Sequence, residues 1–485
     1  RFAGYDRWLA PGGEVTLVLP DGARRLTRGA ALSFPGELDV MGEPSALTWD
    51  LNVMVRRGIA WSAEIVRART ERIAGPRNLE SVHPIPRPSS RSSHQHVFLK
   101  NPNTMRFPTL FLVSIVCQTL AAQGSMRNWH FGMNASVDML AGPPAFQIGS
   151  AIGTGESCVT VSDVNGDLLF YSEGMNVWNV NHATMPNGTG LLCNSGDWQQ
   201  GVATCPWPGM PNKHLLFHTD IDHTLYWSTV DMSLNGGTGD VINKNTFLAT
   251  GIGEAMTIAR HGNGTDHWLV VRDFAADLFK VYPITNAGVG AMSSSVACGM
   301  DDFDFTGMAR FNHAHTWMAT TMRGGFGNGG LLGLFPFNAT TGVLGAGTVI
   351  PQYAPWGLEF SCSDRRLYLS HNDLVPIQQF DMLNGSPSNI LTNPVDATIP
   401  ITAFDMANAP DNRIYFVWND GWNRGARVLG AILEPAEAGL ACNMVDSAVV
   451  WTYPFAANST CLPSFIQQQA SVVGNCAPVS VSSIE

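Results

Sequence analysis

Gly166–Glu173 reads GDLLFYSE, a Gly-Asp turn followed by a short apolar and aromatic run that closes on Ser-Glu. The run is too short for a helix and has the composition of a buried strand. The same kind of text returns as KHLLFHTD (Lys213–Asp220), DHWLVVRD (Asp266–Asp273), HTWMATT (His315–Thr321), RRLYLSH (Arg365–His371) and NRIYFVW (Asn412–Trp418). The central residues Leu168, Leu216, Trp268, Trp317, Leu367 and Ile414 lie 48, 52, 49, 50 and 47 residues apart. A second strand follows most of them, as in LYWSTVDMS (Leu225–Ser233), LFKVYPIT (Leu278–Thr285) and RVLGAILEP (Arg427–Pro435). Turn signals such as Asp222-His223 and Asn372-Asp373 separate the pair. A period near fifty with several strands per unit marks a β-propeller, because one small sheet cannot bury both its faces and a ring of sheets can. Six repeats are visible. Asn128–Gly132 (NWHFG) together with Ala448–Pro454 (AVVWTYP) supplies the material for a seventh. The expected fold is therefore all-β, a six- or seven-bladed propeller.

Composition agrees with many short strands and tight turns. The chain has 485 residues with 49 Gly and 29 Pro, and only 14% of it is charged, against roughly 25% in ordinary soluble proteins. The net charge of −11 excludes a nucleic-acid groove, which needs a basic stripe. That average conceals a division. Residues 1–104 carry a net +4 and residues 105–485 a net −15. The nine cysteines all fall in the second part. Without Cys117, inside an apolar run, eight remain, an even number compatible with disulfides in an oxidising compartment. Cys193, Cys205, Cys442 and Cys461 are the candidates, with buried free thiols as the alternative.

The division falls at residues 105–124. Met105 and Arg106 precede an apolar run that ends in Thr119, Ala121 and Ala122. The length and the small residues suit an export signal better than a membrane span of about 20 residues. A buried core segment and a membrane anchor are the alternatives. The export reading makes Met105 a natural start and residues 1–104 a foreign attachment. Within it, Phe2–Arg7 (FAGYDR), Phe34–Glu37 (FPGE) and Asp50–Arg57 (DLNVMVRR) occur in order. Together they resemble part of the HutD family of cupin-like β proteins from histidine-utilisation operons. The resemblance, over about residues 1–70 of a fragment at 1–74, implies a cytoplasmic barrel with a small-ligand pocket near Asp50, Asn52 and Arg56. Only a fragment of such a barrel is present, so no HutD-type activity is expected. Residues 75–104, rich in Pro, Ser, Arg and His, read as a disordered joint in which His94 and His96 are solvated.

Residues 125–465 carry a second resemblance. NWHFGMNASVDM (Asn128–Met139), Gly155–Leu191 and GLEFSCSDRRLYLSH (Gly357–His371) resemble the N-terminal propeller region of secreted Bacteroidota proteins labelled gliding-motility-associated or type IX-secreted. That family implies an extracellular or cell-surface propeller followed by Ig-like (PKD) modules and a sorting domain. Thr460–Gln469 matches its usual exit, and residues 466–485 would begin a downstream module.

Chemistry is sparse. No nucleophile elbow, H-E-x-x-H or Walker A motif occurs. Gly325, Gly327 and Gly330 fit G-x-G-x-x-G but sit between strands, as a hairpin loop. Asp163, Asn165 and Asp167 alternate before a strand, a pattern that suits either a hairpin turn or calcium. His313 and His315 read as structural rather than metal-binding, as do His218, Asp220, Asp222 and His223. Trp178, Trp227, Tyr353 and Trp356 are candidate stacking platforms for a sugar, though propeller aromatics more often wedge blades together. The functional expectation is a non-catalytic binding or adhesion module for an extracellular polysaccharide or a surface protein, with no cofactor other than calcium. A propeller glycosidase or lyase is the alternative, and a HutD-like role in histidine utilisation a second.

Overall fold

The computed structural model describes residues 124–467, except 195, 197, 301–304, 325–328 and 420–425. It also gives the backbone of seven short strands between Tyr5 and Phe98. The chain divides into two units, Arg1–Ile115 and Val116–Glu485. In the first, Tyr5–Pro11 pairs with Leu32–Pro35 and Asp50–Arg56, and His94–Phe98, inside the stretch read as a joint, runs parallel to Asp50–Arg56. The export-like segment at 105–124 lies outside the described residues except for Gly124. So do residues 468–485, Gly325, Gly327 and the side chains of Asp50, Asn52, Arg56, His94 and His96.

The second unit is a seven-bladed β-propeller. Blade I holds Asn128–Phe131, Ala135–Asp138 and Ala145–Phe146. The innermost strands of blades II to VII are Val159–Ser162, Val202–Pro206, Ile252–Arg260, Ala309–Phe311, Pro355–Phe360 and Thr402–Asn408. Each begins an antiparallel sheet of four or five strands. The six repeated segments of the sequence are the second strands of blades II to VII, such as Leu168–Ser172 and Arg366–His371.

The apolar cores lie between blades rather than within them. Phe217, Leu269 and Val271 pack blade III on blade IV. Phe279, Phe311 and Phe335 join IV to V, and Leu334, Leu358 and Leu369 join V to VI. Blades VII and I share Trp129, Phe131, Tyr415, Val417 and Leu429. Burying each such side chain is worth roughly 1.5–3 kcal/mol, and none of it is gained by one blade alone. Close approach near the axis requires glycine. A Cβ on Gly357 would stand 2.3 Å from the carbonyl oxygen of Phe404 in the next blade, and one on Gly253 2.7 Å from that of Phe305.

Ring closure departs from the expectation in one respect. Asn128–Phe131 does belong to blade I, but Ala448–Pro454 does not join it. Met444–Val450 is the outermost strand of blade VII, paired with Val428–Ile432. The stretch after it closes the ring. Met133 and Ala457 exchange two backbone hydrogen bonds of 2.9 Å. The Thr460 amide donates to Gly155 O (3.2 Å) of the approach to blade II, while Thr460 O accepts from the Asp405 amide (3.3 Å) of blade VII. The Ser464 amide donates to Cys158 O at 3.0 Å. The C-terminal segment thus lies along the central channel between the two ends of the repeat array, and Gln467 extends it beyond the expected boundary at 465.

Candidate functional site

Each innermost strand from blade IV onward carries an ionisable residue within an apolar run: GEAMTIA (Glu254), GMARF (Arg310), GLEFS (Glu359) and AFDMA (Asp405). All four are at most 3% exposed. The barrel of inner strands brings them to the channel with Glu156 of blade II and Gln199 and Gln200 of blade III.

In the middle of the channel the charged groups pair with the protein, although Arg310 Nε, His315 Nδ1, Asn408 Oδ1 and Gln467 Oε1 have no partner among the described residues. Gln200 donates to Ala309 O (2.9 Å) and accepts from the amides of Ala309 (2.7 Å) and Met256 (3.3 Å), tying three blades together. Arg310 pairs with Asp405 at 3.3 Å. Asp405 also accepts from the amides of Leu462 (3.0 Å) and Met406 (2.8 Å). Burial raises the Asp405 carboxyl against the pull of Arg310. Glu359 accepts from Gln467 Nε2 (2.8 Å) and from the amides of Phe360 and Asn408, and burial raises its carboxyl too. His315 shares a hydrogen bond of 3.0 Å with Gln467 O.

The end at which the inner strands begin is different. Glu254 accepts from the Gly307 amide (2.9 Å), but its Oε1 has no partner among the described residues. Both side-chain amide atoms of Gln199, whose backbone adjoins Glu254, are buried and also without a partner among the described residues. Arg323 and Glu156 act on Glu254 with opposite sign, and the Arg323 guanidinium lies 4.1 Å from the centre of the Trp356 ring, a cation–π contact. Burial, seconded by Glu156, pushes the Glu254 carboxyl up to about 8 despite Arg323 and the nearby amides. An unfolded glutamate releases its proton near pH 4.5. Between these values the folded chain holds a proton that the unfolded chain lacks, so the contribution of Glu254 to stability is complete below pH 4.5 and is lost as pH rises through about 8. Glu254→Gln, measured by denaturation from pH 4 to 9, is expected to flatten that decline.

Most residues singled out in the sequence lie elsewhere. Asp163 Oδ1 accepts from the amides of Asn165 (2.8 Å) and Asp167 (2.9 Å), which makes this stretch a hairpin turn with the Asp163 carboxylate turned to the backbone. Among the described residues no group of three or more His, Cys, Asp or Glu is placed to hold a metal ion. His313 Nδ1 instead meets Asp364 at 2.8 Å. The four aromatics do not form one platform. Trp178 stacks on Tyr171 in blade II, and Trp227 meets Trp207 edge-on in blade III. Tyr353 is exposed and donates to Asp373, whereas Trp356 is buried against Phe404. Only Trp356 adjoins the channel end.

The disulfide expectation is corrected. Cys193, Cys205, Cys442 and Cys461 are free, while Cys362 is disulfide-bonded. Cys205 lies on an inner strand and Cys442 in a short turn, each surrounded by core side chains. The channel residues were overlooked because each is a single charge among apolar neighbours. Their signal was recurrence, since Glu254, Arg310, Glu359 and Asp405 follow one another at about the blade period.

No family model matches the chain, and no curated protein matches it. Among solved structures it is similar to a protein from Lactobacillus plantarum, at 11% identity and a TM-score of 0.41, over 70% of this chain and 98% of that one. It is also similar to a putative oxidoreductase (glucose dehydrogenase) from Thermus thermophilus, at 13% identity and a TM-score of 0.35, over 55% and 91%. A putative 6-phosphogluconolactonase from Bacteroides uniformis matches at 13% and 0.36, over 60% and 80%. Among the described residues no helix is long and apolar enough to cross a membrane.

Proposed function

We propose that the propeller is a binding module of an extracellular or cell-surface bacterial protein and takes a polar ligand at the channel end built from Gln199, Glu254 and Arg323. One observation carries the reading. Gln199 keeps both amide atoms buried and unpaired among the described residues, beside a carboxyl oxygen in the same condition. Each such group costs about 1–3 kcal/mol unless something else satisfies it. A hydroxyl-rich ligand, as in an extracellular polysaccharide, or the polar loop of a surface protein would supply the missing donors and acceptors. Arg310, Glu359 and Asp405 each have a side-chain partner in the protein, whereas the Gln199 side chain has none among the described residues. Secretion rests on the export-like segment and on the resemblance to secreted propellers.

A glycan array with the full chain, followed by calorimetry of any hit, tests this. Gln199→Ala and Glu254→Gln are each expected to weaken binding by about tenfold or more, the value of roughly one good polar contact. Unchanged affinity in both variants would sink the site assignment.

A second reading draws on Glu254 alone. A buried carboxyl raised to about 8 near a second carboxylate, Glu156, has the character of a general acid. Release of reducing ends from a bound glycan, abolished in Glu254→Gln, would establish a glycosidase instead.

A further inference from the structure

The sulfur atoms of Cys158 and Cys461 lie 3.9 Å apart, and both residues are 1% exposed. Both are free thiols. Cys158 immediately precedes the innermost strand of blade II, and Cys461 sits in the C-terminal segment that closes the ring. The backbones beside them are already joined, by Thr460 to Gly155 and Ser464 to Cys158. The relation of the two side chains is therefore fixed by hydrogen bonds on either side. A disulfide needs its sulfurs at about 2.05 Å, so forming one from the 3.9 Å separation requires the two sulfurs to close on each other.

We propose that Cys158 and Cys461 are an oxidisable clasp that covalently locks the propeller ring, the present structure being its reduced form. The bond would link positions 303 residues apart, so nearly the whole propeller lies inside the closed loop. Long loops give disulfides their greatest restraint on the unfolded chain. The clasp also sits at the one seam where the ring depends on non-local strand contacts, so it holds the part that opens first.

Burial and the neighbouring thiol raise Cys158 well above the ordinary thiol range. Thiolate is therefore scarce while the segment is docked, and oxidation occurs during folding or brief release of the segment. The oxidant is a small-molecule disulfide such as glutathione disulfide. One cysteine thiolate attacks a glutathione sulfur, breaking its S–S bond and releasing one glutathione thiolate. The second cysteine thiolate then attacks the protein sulfur of the mixed disulfide and releases the other. Two thiols are oxidised, one glutathione disulfide is reduced to two glutathiones, and the two protons pass to them. Once formed, the bond is enclosed and resists reduction.

The test uses the full chain, refolded once with glutathione disulfide and once with a phosphine reductant. Peptide mapping after alkylation in denaturant is expected to find the Cys158–Cys461 link in the oxidised sample alone. The oxidised protein should melt about 3–8 °C higher than the reduced one. Cys461→Ala keeps the Cys362 disulfide when oxidised, so it should show a smaller difference than the wild type while melting close to it under reducing conditions. If the variant fails to fold, the wild-type map still decides. Absence of the link after oxidative refolding, or an equal gain in melting temperature in Cys461→Ala, overturns the clasp.

Discussion

A chain ending at Pro454 is expected to lose the cooperative fold of the propeller, although every strand of blades II to VII remains. The deletion removes Ala456, Cys461 and Leu462 from the core shared by blades VII and I. It takes away the Leu462 amide from Asp405 and the Gln467 amide from Glu359, leaving both buried carboxyls with fewer donors. It also removes the bonds that join Met133, Gly155 and Cys158 to the segment. Truncating Leu462 alone to Ala should cost about 2–5 kcal/mol, a large part of the 5–15 kcal/mol that holds a typical domain together. The full deletion should therefore abolish the cooperative melting transition in calorimetry and make blade I sensitive to protease. A chain ending at Gln467, which keeps the described segment, should retain a cooperative melting transition. Had Ala448–Pro454 closed the ring, the cut at Pro454 would be harmless. A sharp transition in that truncation would refute the closure described here.

Arg310→Met should be the most damaging single substitution in the channel. Arg310 lies between Asp405 and the Ser464 hydroxyl, and its charge also steadies Glu359. Removing the cation leaves Asp405 buried and uncompensated, a loss of about 3–5 kcal/mol in comparable cases. Burial already raises the Asp405 carboxyl, and without Arg310 it would rise further. The folded variant would take up a proton that the unfolded chain releases, so its stability should fall as pH increases from 4 towards 8. Arg310→Met with Asp405→Asn deletes the charge and keeps an acceptor for one of the Leu462 and Met406 amides, which bond to different carboxylate oxygens, and should recover part of the loss. Urea denaturation at pH 5 and pH 8 measures both effects. A deficit below about 1 kcal/mol in the single variant would show that the pair contributes no more than a surface ion pair.

The propeller was readable because its signal is repeated. Six apolar segments at a near-constant period set both strand identity and strand position, and each became the second strand of a blade. Turn chemistry was equally local, as in the hairpin at Asp163–Asp167, where Asn-Gly and a carboxylate acceptor sit within five residues. The aromatic residues were visible but not their use. Trp356 became a buried partner of Arg323, whereas Tyr353, three residues earlier, stayed in solvent.

The sequence by itself therefore determined the strands, their period and the ring they must form, since these follow from short-range alternation and from the need to bury both faces of small sheets. The tertiary structure alone decided where the ring closes and what fills its axis. Whether Ala448–Pro454 or Ala456–Gln467 pairs its backbone with blade I is a competition between distant segments; the first packs Trp451 and Tyr453 on blade I while the second makes the backbone bonds, which no local pattern encodes. The same holds for Glu254, Gln199, Arg323 and the thiols of Cys158 and Cys461. They are scattered along the chain, and only the curvature of the ring sets them side by side in a medium where one unpaired polar group carries a cost.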